Sequence, residues 1–252
     1  MSVVTATVIG ESGVIGHDIC NLMSLDIRRE VNRIPRATLT LLDGDSAESE
    51  FVASNSGHFD PGKEIQVKLR YEDKPQEEAI VFKGLVVRHN LEANNHLSQL
   101  TVELKDAAVK LTKARKSAIF VDQTDKQVIE KLVSEAKLKS GVVDATDTKH
   151  AHLVQYDCTD WDFIVSRAES QGLLVIAEDG ELSVRAVDLA KLLAAQAPKS
   201  HQLKYGDNIY ELELSLDAEE QYEAVDSRAW DVTQNKMTDP KNLPEFSFVF
   251  SC

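Results

Sequence analysis

A period-two alternation of apolar and polar residues is the strongest pattern in this sequence. Leu100, Val102 and Leu104 alternate with polar residues, and residues 37–41 and 64–70 show the same period. Successive side chains of a β-strand point to opposite faces, so this period predicts strands with one buried and one exposed face. A chain built in this way must bury its apolar faces inside a sheet that packs or curls on itself.

Further strands are predicted in the same part of the chain. We expect an opening strand at residues 3–9, a strand in the segment after Gly16, and a hairpin over residues 80–104. The hairpin turn is predicted at Ala93-Asn94-Asn95, because Asn tolerates the left-handed backbone that tight hairpins require. With about six strands and no convincing helix, residues 1–120 are predicted to form a closed or nearly closed antiparallel barrel.

Residues 121–200 change to helical spacing. Apolar residues recur every three or four positions after Thr124 or Asp122, and either residue is able to cap the first helical turn. Gly141 is the predicted end of this helix, because glycine readily adopts the left-handed conformation that terminates helices. This pattern predicts the first helix of a small α+β insertion.

The insertion is predicted to contain a second helix and a hairpin. Thr159 is the expected N-cap of the second helix and Gly172 its stop, with a short strand expected just before it at residues 152–156. Residues 178–180 form a turn signal between two further strands. A short helix or linker helix is predicted at residues 188–197.

From residue 201 the period of two returns. The alternating apolar residues there are Tyr210, Leu212, Leu214 and Leu216. They predict a second β-barrel region over residues 201–252, which is incomplete or returns to the first barrel. The apolar run at residues 243–252 would leave an exposed strand, so we expect a partner that covers it or a chain shorter than its relatives. The predicted fold class is α+β, mainly β.

A cluster of basic residues interrupts a strongly acidic chain. The 42 acidic and 28 basic residues give a formal net charge of -14, which argues against a general nucleic-acid binder. Five basic residues nevertheless follow Leu104 within a short stretch: Lys105, Lys110, Lys113, Arg115 and Lys116. This cluster is explained by a solvated face, by a nucleic-acid site, or by a surface that meets an acidic neighbour.

The cysteines and the N-terminal residues indicate the cellular compartment in which the protein is made. Cys20, Cys158 and Cys252 are far apart and lack metal-ligand spacing, which is typical of reduced thiols in the cytoplasm. The first residues lack a secretory signal pattern, and no run approaches the roughly 20 apolar residues that a membrane span requires. We expect the protein to be synthesised in the cytoplasm and not to insert stably into a membrane. If it is exported, we expect export without a cleaved signal.

Candidate catalytic and metal-binding patterns are weak. His150 and His152 lie near Asp147 and Asp157, but a zinc site needs three or four convergent ligands, so a loop before a strand is favoured. Two carboxylate pairs could act as acid and base but are more simply a turn and a helix start: Asp43/Asp45 and Asp160/Asp162. No catalytic, cofactor-binding or metal-binding residues are predicted.

Several segments, taken in collinear order, carry a resemblance to a known family. They are VNRIPRATLTLLDGD at 31–45, FDPGKEIQVKLRY with FKGLVV at 59–71 and 82–87, LTVELKDAAVKLTKARKSAIF at 100–120, VQYDCTDWDFIVSRAESQGLLV at 154–175 and the stretch 205–231. Together they resemble the N-terminal, phage-baseplate-hub-like region of the VgrG family, the spike proteins of type VI secretion and related contractile injection systems. No single segment is decisive, whereas the ordered set covers nearly the whole chain.

The resemblance implies a structural hub rather than an enzyme. It implies antiparallel barrels akin to the tail-tube fold, with a small α+β insertion, in a homotrimer that adapts a sixfold tube to a threefold spike. The implied partners are Hcp-like tail-tube proteins, baseplate proteins, and a spike domain or tip protein, without a cofactor. Relatives usually continue into a further barrel and a β-helical needle. This sequence does not include them, so piercing, tip-metal binding and effector activity are not implied.

If the resemblance holds, the basic cluster has a specific expected role. The candidate assembly interface is formed by Lys110, Lys113, Arg115 and Lys116, facing acidic residues of a neighbouring subunit or of the tube. Two other function classes stay open. One is a cell-envelope enzyme, such as a peptidoglycan-hydrolase-like component of a tail spike, which needs acidic residues converging in a cleft. The other is a carbohydrate- or protein-binding module that acts alone.

Overall fold

The computed structural model divides the chain into two compact units, Met1–Ala194 and Ala195–Cys252. It describes residues 4–44, 50–94, 98–144 and 148–187 of the first unit. In the second unit it describes residues 204–206, 209, 211–213, 226–228, 230–231, 234–237 and 241–242. No helix in these ranges is long and apolar enough to cross a membrane.

A seven-stranded antiparallel sheet forms the first half of the first unit. Its strands are β1 (Val4–Gly10), β2 (Gly13–Val14), β3 (Asn21–Arg28), β4 (Arg36–Leu42), β5 (Glu64–Tyr71), β6 (Ala79–Ala93) and β7 (Ser98–Lys105). They lie in the order β2-β1-β5-β6-β7-β4-β3. The mainly β, antiparallel architecture expected from the sequence is therefore confirmed.

The alternation in the sequence sets the register of this sheet. Leu39 pairs with Val102 and Leu41 pairs with Leu100, and all four side chains are fully buried at 0% exposure. The polar residues between them face the opposite side of the sheet. A shift of one residue would turn this apolar set to solvent, so burial of one face fixes the pairing.

The sequence predicts a closed or nearly closed barrel over residues 1–120, and the described strands do not form a closed one. The sheet has β2 and β3 at its two edges, and no strand ladder in the described ranges joins them. Residues of β1, β2 and β3 line a groove of about 820 Å³. Ile9 and Gly10 of β1 pair with β2, so this end of the free edge of β1 is already occupied. The loop before β5 also contains one helical turn, α1 (Val52–Asn55).

The second half of the first unit is the predicted α+β insertion. Its elements are β8 (Arg115–Thr124), α2 (Asp125–Glu135), β9 (Lys139–Val143), β10 (Lys149–Thr159), α3 (Asp160–Ser170), β11 (Leu173–Glu178) and β12 (Glu181–Ala186). A 3-10 helix at Ala107–Thr112 leads into it, and another at Pro75–Glu77 precedes β6. β8 and β10 form a two-stranded antiparallel ribbon, and β11, β12 and β9 form a three-stranded sheet.

The predicted helix starts are confirmed, and one predicted stop is wrong. Thr124 and Thr159 both cap their helices through side-chain oxygens, and Gly172 takes a φ of 68° after α3. Helix α2, however, ends at Glu135 and not at Gly141, which lies in β9. Lys137 adopts the left-handed conformation instead, with a φ of 56°, so the sequence lacks the usual glycine signal for this stop.

Two hydrophobic cores occupy the first unit, and polar side chains join them. The first core is built from residues up to Leu104, and the second begins at Ala108. Between them the Asp106 carboxylate, 1% exposed, accepts hydrogen bonds from the Ala108 and Gly180 backbone N–H groups, each at 2.8 Å. The domain division 1–120, 121–200 and 201–252 stays a prediction.

The described part of the second unit consists of short strand pairs. β13 (Asp226–Ser227) pairs with β16 (Lys241–Asn242), and β14 (Trp230–Asp231) pairs with β15 (Lys236–Met237). Residues 211–213, within the predicted alternating strand, have no regular secondary structure. The rest of that strand, the helix predicted at 188–197 and the apolar run at 243–252 lie outside the described residues.

Candidate assembly surface

The four predicted interface residues lie on one continuous segment at the start of the insertion. Lys110 is half-buried on the 3-10 helix, and Lys113 is exposed just after it. Arg115 and Lys116 are the first two residues of β8. Arg115 and Lys116 therefore lie at one end of the β8–β10 ribbon, and Lys110 and Lys113 precede them in the chain.

Arg115 and Lys116 already have acidic partners within the chain. The Lys116 Nζ donates to Asp160 Oδ2 at 2.6 Å, and the Asp160 side chain is only 7% exposed. This hydrogen bond raises the pKa of Lys116 above its ordinary value. The Arg115 Nε donates to the Asp157 backbone carbonyl at 2.9 Å and lies 3.7 Å from the Asp157 carboxylate. Both side chains stay partly exposed, at 67% for Arg115 and 45% for Lys116, and their role in an interface stays a prediction.

These two cations also help to build a β-bulge in β10. The ladder register shifts between Gln155 and Cys158, and Asp157 adopts a left-handed φ of 40°. The Asp157 N–H donates to Ser117 Oγ at 3.1 Å, and Gln155 Nε2 donates to the Cys158 carbonyl at 3.2 Å. Bulges re-aim side chains at strand positions, and here the neighbouring residue Tyr156 is turned outward and is 80% exposed.

The ribbon carries apolar side chains on both faces. Phe120 and Leu153 pair across the inner face and are buried in the second core, at 4% and 8% exposure. The outer face carries four exposed large apolar residues: Ile119 at 68%, Val121 at 52%, Val154 at 55% and Tyr156 at 80%. The sequence gives no periodic signal for this outer face, because residues 118–121 are all apolar and show no period of two.

His150 belongs to a structural ion cluster. Asp125, 1% exposed, accepts from Arg167 Nε at 2.6 Å and lies 2.9 Å from His150 Nε2. Burial alone would raise the pKa of Asp125, but the hydrogen bonds from Arg167 and His150 outweigh it and hold the pKa below its ordinary value. His150 and His152 both lie in β10 rather than in a loop. No cluster of three or more metal-binding side chains occurs among the described residues.

The candidate carboxylate pairs also have structural roles. Asp43, 3% exposed, accepts from the Ala53 and Ser54 N–H groups at 2.9 and 2.8 Å and so holds the start of α1. Asp160 is engaged by Lys116, and Asp162 accepts from Thr159 Oγ1 at 2.7 Å in the first turn of α3. Asp45 lies outside the described residues. These contacts account for the acidic residues at the three described positions as structural groups.

The fold defines the class of protein. The structure is similar to a tail protein from Neisseria meningitidis MC58, with a TM-score of 0.64 and 15% identity over 97% of this chain and 69% of that chain. It is also similar to the 43 kDa tail protein of prophage MuSo2 from Shewanella oneidensis, with a TM-score of 0.55 and 13% identity over 73% of this chain and 53% of that one. A chain of a PdpA–VgrG complex matches with a TM-score of 0.55 and 11% identity over 97% of this chain and 46% of that one. The fold is that of phage-tail and VgrG hub proteins, which confirms the resemblance seen in the sequence.

The family is given by the sequence itself. Residues 1–246 match the family Alg8_N, the Alg8 N-terminal domain, and this chain belongs to that family. No curated protein matches the sequence. The chain spans about half the length of the Shewanella tail protein, 53% of it.

Proposed function

We propose that this chain is a structural subunit of a contractile injection apparatus, of the type VI secretion or phage-tail-like kind, and forms part of its hub. The observation that carries the proposal is the similarity to the Neisseria tail protein, which extends over 97% of this chain. At 15% identity this similarity concerns the fold, so the role rests on the fold together with the collinear sequence resemblance.

In this proposal three copies associate into a ring that adapts a sixfold tube to a threefold spike. The partners are an Hcp-like tube protein, baseplate proteins, and a spike domain or tip protein. The chain is made in the cytoplasm and acts after assembly into the apparatus. Its role is binding and positioning rather than catalysis, since the described carboxylates singled out as candidate acids hold local structure. A hydrolase role is not favoured by any described arrangement.

The mass of the purified protein in solution tests this proposal. We expect light scattering to give about three times the 28.0 kDa chain mass at high concentration, and particle imaging to show a threefold ring. A chain that stays monomeric up to high concentration and does not bind tube protein would contradict the hub role. Clearing of purified cell wall in a zymogram would instead support the hydrolase alternative.

A further inference from the structure

We infer that the outer face of the β8–β10 ribbon is the surface through which one copy of this chain docks on the next, with Tyr156 as its central anchor. The inference rests on the proposed trimeric hub and assigns its contact surface. The surface consists of Ile119, Val121, Val154 and Tyr156, with Lys110 and Lys113 at its rim. Arg115 and Lys116, which the sequence placed in the contact, act here by holding the bulge that presents Tyr156.

The first argument is the rigid presentation of Tyr156. The backbone of the adjacent residue Asp157 is held on both sides, by Ser117 Oγ at its N–H and by Arg115 Nε at its carbonyl. Gln155 fixes the Cys158 carbonyl and also donates to Asp160 Oδ1 at 3.0 Å. A tyrosine held in this way loses little conformational entropy on binding, and tyrosine is among the residues most enriched in interface hot spots.

The second argument is the size of the apolar face. Its four residues expose roughly 500 Å² of side-chain surface, judged from aromatic and aliphatic side-chain areas, which is near the upper end for patches on soluble monomers. A standard interface buries about 800 Å² on each partner. The apolar face therefore supplies more than half of such an interface.

The third argument is charge, which selects a second copy as the occupant. The rim at the Lys113 end is basic, whereas the chain as a whole has a net charge of -14. A second copy thus offers a predominantly acidic surface to the basic rim. A head-to-tail contact of this kind between copies closes into a ring.

The variant Tyr156→Ser tests the surface. We expect this change to raise the protein concentration needed for half-assembly by at least about 30-fold, the loss seen when an interface hot spot is truncated. Tyr71→Ser is the matched control, because Tyr71 is an exposed tyrosine at the end of β5, 51% exposed, away from the ribbon. Lys113→Glu should weaken assembly as well, and the loss should shrink at high salt because a rim charge is screened.

The outcomes separate this inference from the proposed function. If the wild-type chain never assembles, the hub proposal fails and the docking surface fails with it. If the wild-type chain forms trimers and Tyr156→Ser forms them at the same concentration, the hub stands and the docking surface is refuted. If Tyr156→Ser lowers the unfolding free energy of the monomer while assembly is unchanged, the face is covered by the chain itself, which also refutes the inference.

Discussion

Replacement of Arg167 by methionine probes a buried ion pair of the insertion. The Arg167 guanidinium contacts both oxygens of Asp125, at 2.6 and 3.3 Å, and so connects α3 to the first turn of α2. The Asp125 side chain is 1% exposed, whereas Arg167 keeps 22% of its side chain in solvent. Methionine retains most of the aliphatic volume, so the change removes mainly the charge and the hydrogen bonds.

The expected loss of stability follows from the burial of Asp125. Removal of one member of a buried ion pair costs about 3–5 kcal/mol, because the remaining charge is left in a site with little water. His150 Nε2 remains 2.9 Å from the same carboxylate as a hydrogen-bonding neighbour. We therefore expect Arg167→Met to lower the free energy of unfolding by about 3 kcal/mol, at the lower end of that range.

Urea denaturation followed by tryptophan fluorescence measures this loss, since Trp161 lies in the second core at 7% exposure. The matched control is Lys126→Met, which removes an exposed pair with Glu130 on α2 and should cost about 0.5 kcal/mol or less. Asp125→Asn added to Arg167→Met should restore about 1 kcal/mol or more, because the unpaired charge is gone. If Arg167→Met lowers the free energy of unfolding by less than about 1 kcal/mol, the buried charge of Asp125 does not depend on its pairing with Arg167, and the reasoning is refuted.

Three further predictions concern other buried groups. Asp106→Asn should cost about 2 kcal/mol, because an amide nitrogen would face a backbone N–H donor, and hydrogen exchange should quicken at the Gly180 amide. Gly84→Ala should cost about 2–3 kcal/mol in urea unfolding, since the new Cβ would stand 2.5 Å from the Lys105 carbonyl oxygen. Burial raises the pKa of Cys20 to about 11, so a thiol reagent at pH 8 should label Cys20 only in urea, as read by peptide mass.

The pKa of Asp125 also predicts how the stability contributed by its pair with Arg167 depends on pH. Its pKa is lowered in the folded chain, so its stabilising contribution is present above the ordinary aspartate pKa of about 3.9 and is lost as pH falls through the folded value. Wild-type stability should therefore fall more steeply than that of Asp125→Asn below about pH 4. Equal slopes in acid would show that Arg167 and His150 do not favour the ionised carboxylate.

The elements that the sequence predicts well are those whose signals are local. β4, β5 and β7 each have one buried and one polar face, and α2 and α3 each begin at a threonine that caps the helix. These features depend on neighbours a few residues away, so the order of residues alone reveals them. The stop of α2 was missed because Lys137 takes the conformation for which glycine is the usual signal.

The contacts of the candidate site are not local, and the sequence could not supply them. Arg115 and Lys116 appear as unpaired cations in the sequence, but their partners Asp157 and Asp160 stand more than forty positions away in β10 and α3. Only the pairing of β8 with β10 brings them together. Charge reversal at Lys116 would place a carboxylate beside the buried Asp160 and disturb folding, so Lys113 is the better position at which to test assembly.

β8 itself was missed for a reason that bears on function. A strand with one face in a core and one in water alternates, whereas a strand covered on both faces reads as a continuous apolar run. Residues 118–121 form such a run, yet only Phe120 is buried by the chain, at 4% exposure, while Ile119 remains 68% exposed. The apolar residues on both faces of β8 thus favour burial of both faces, and the described chain buries only one of them. The missing alternation that hid β8 is therefore the sequence signature expected of a strand whose outer face is covered by a neighbouring copy.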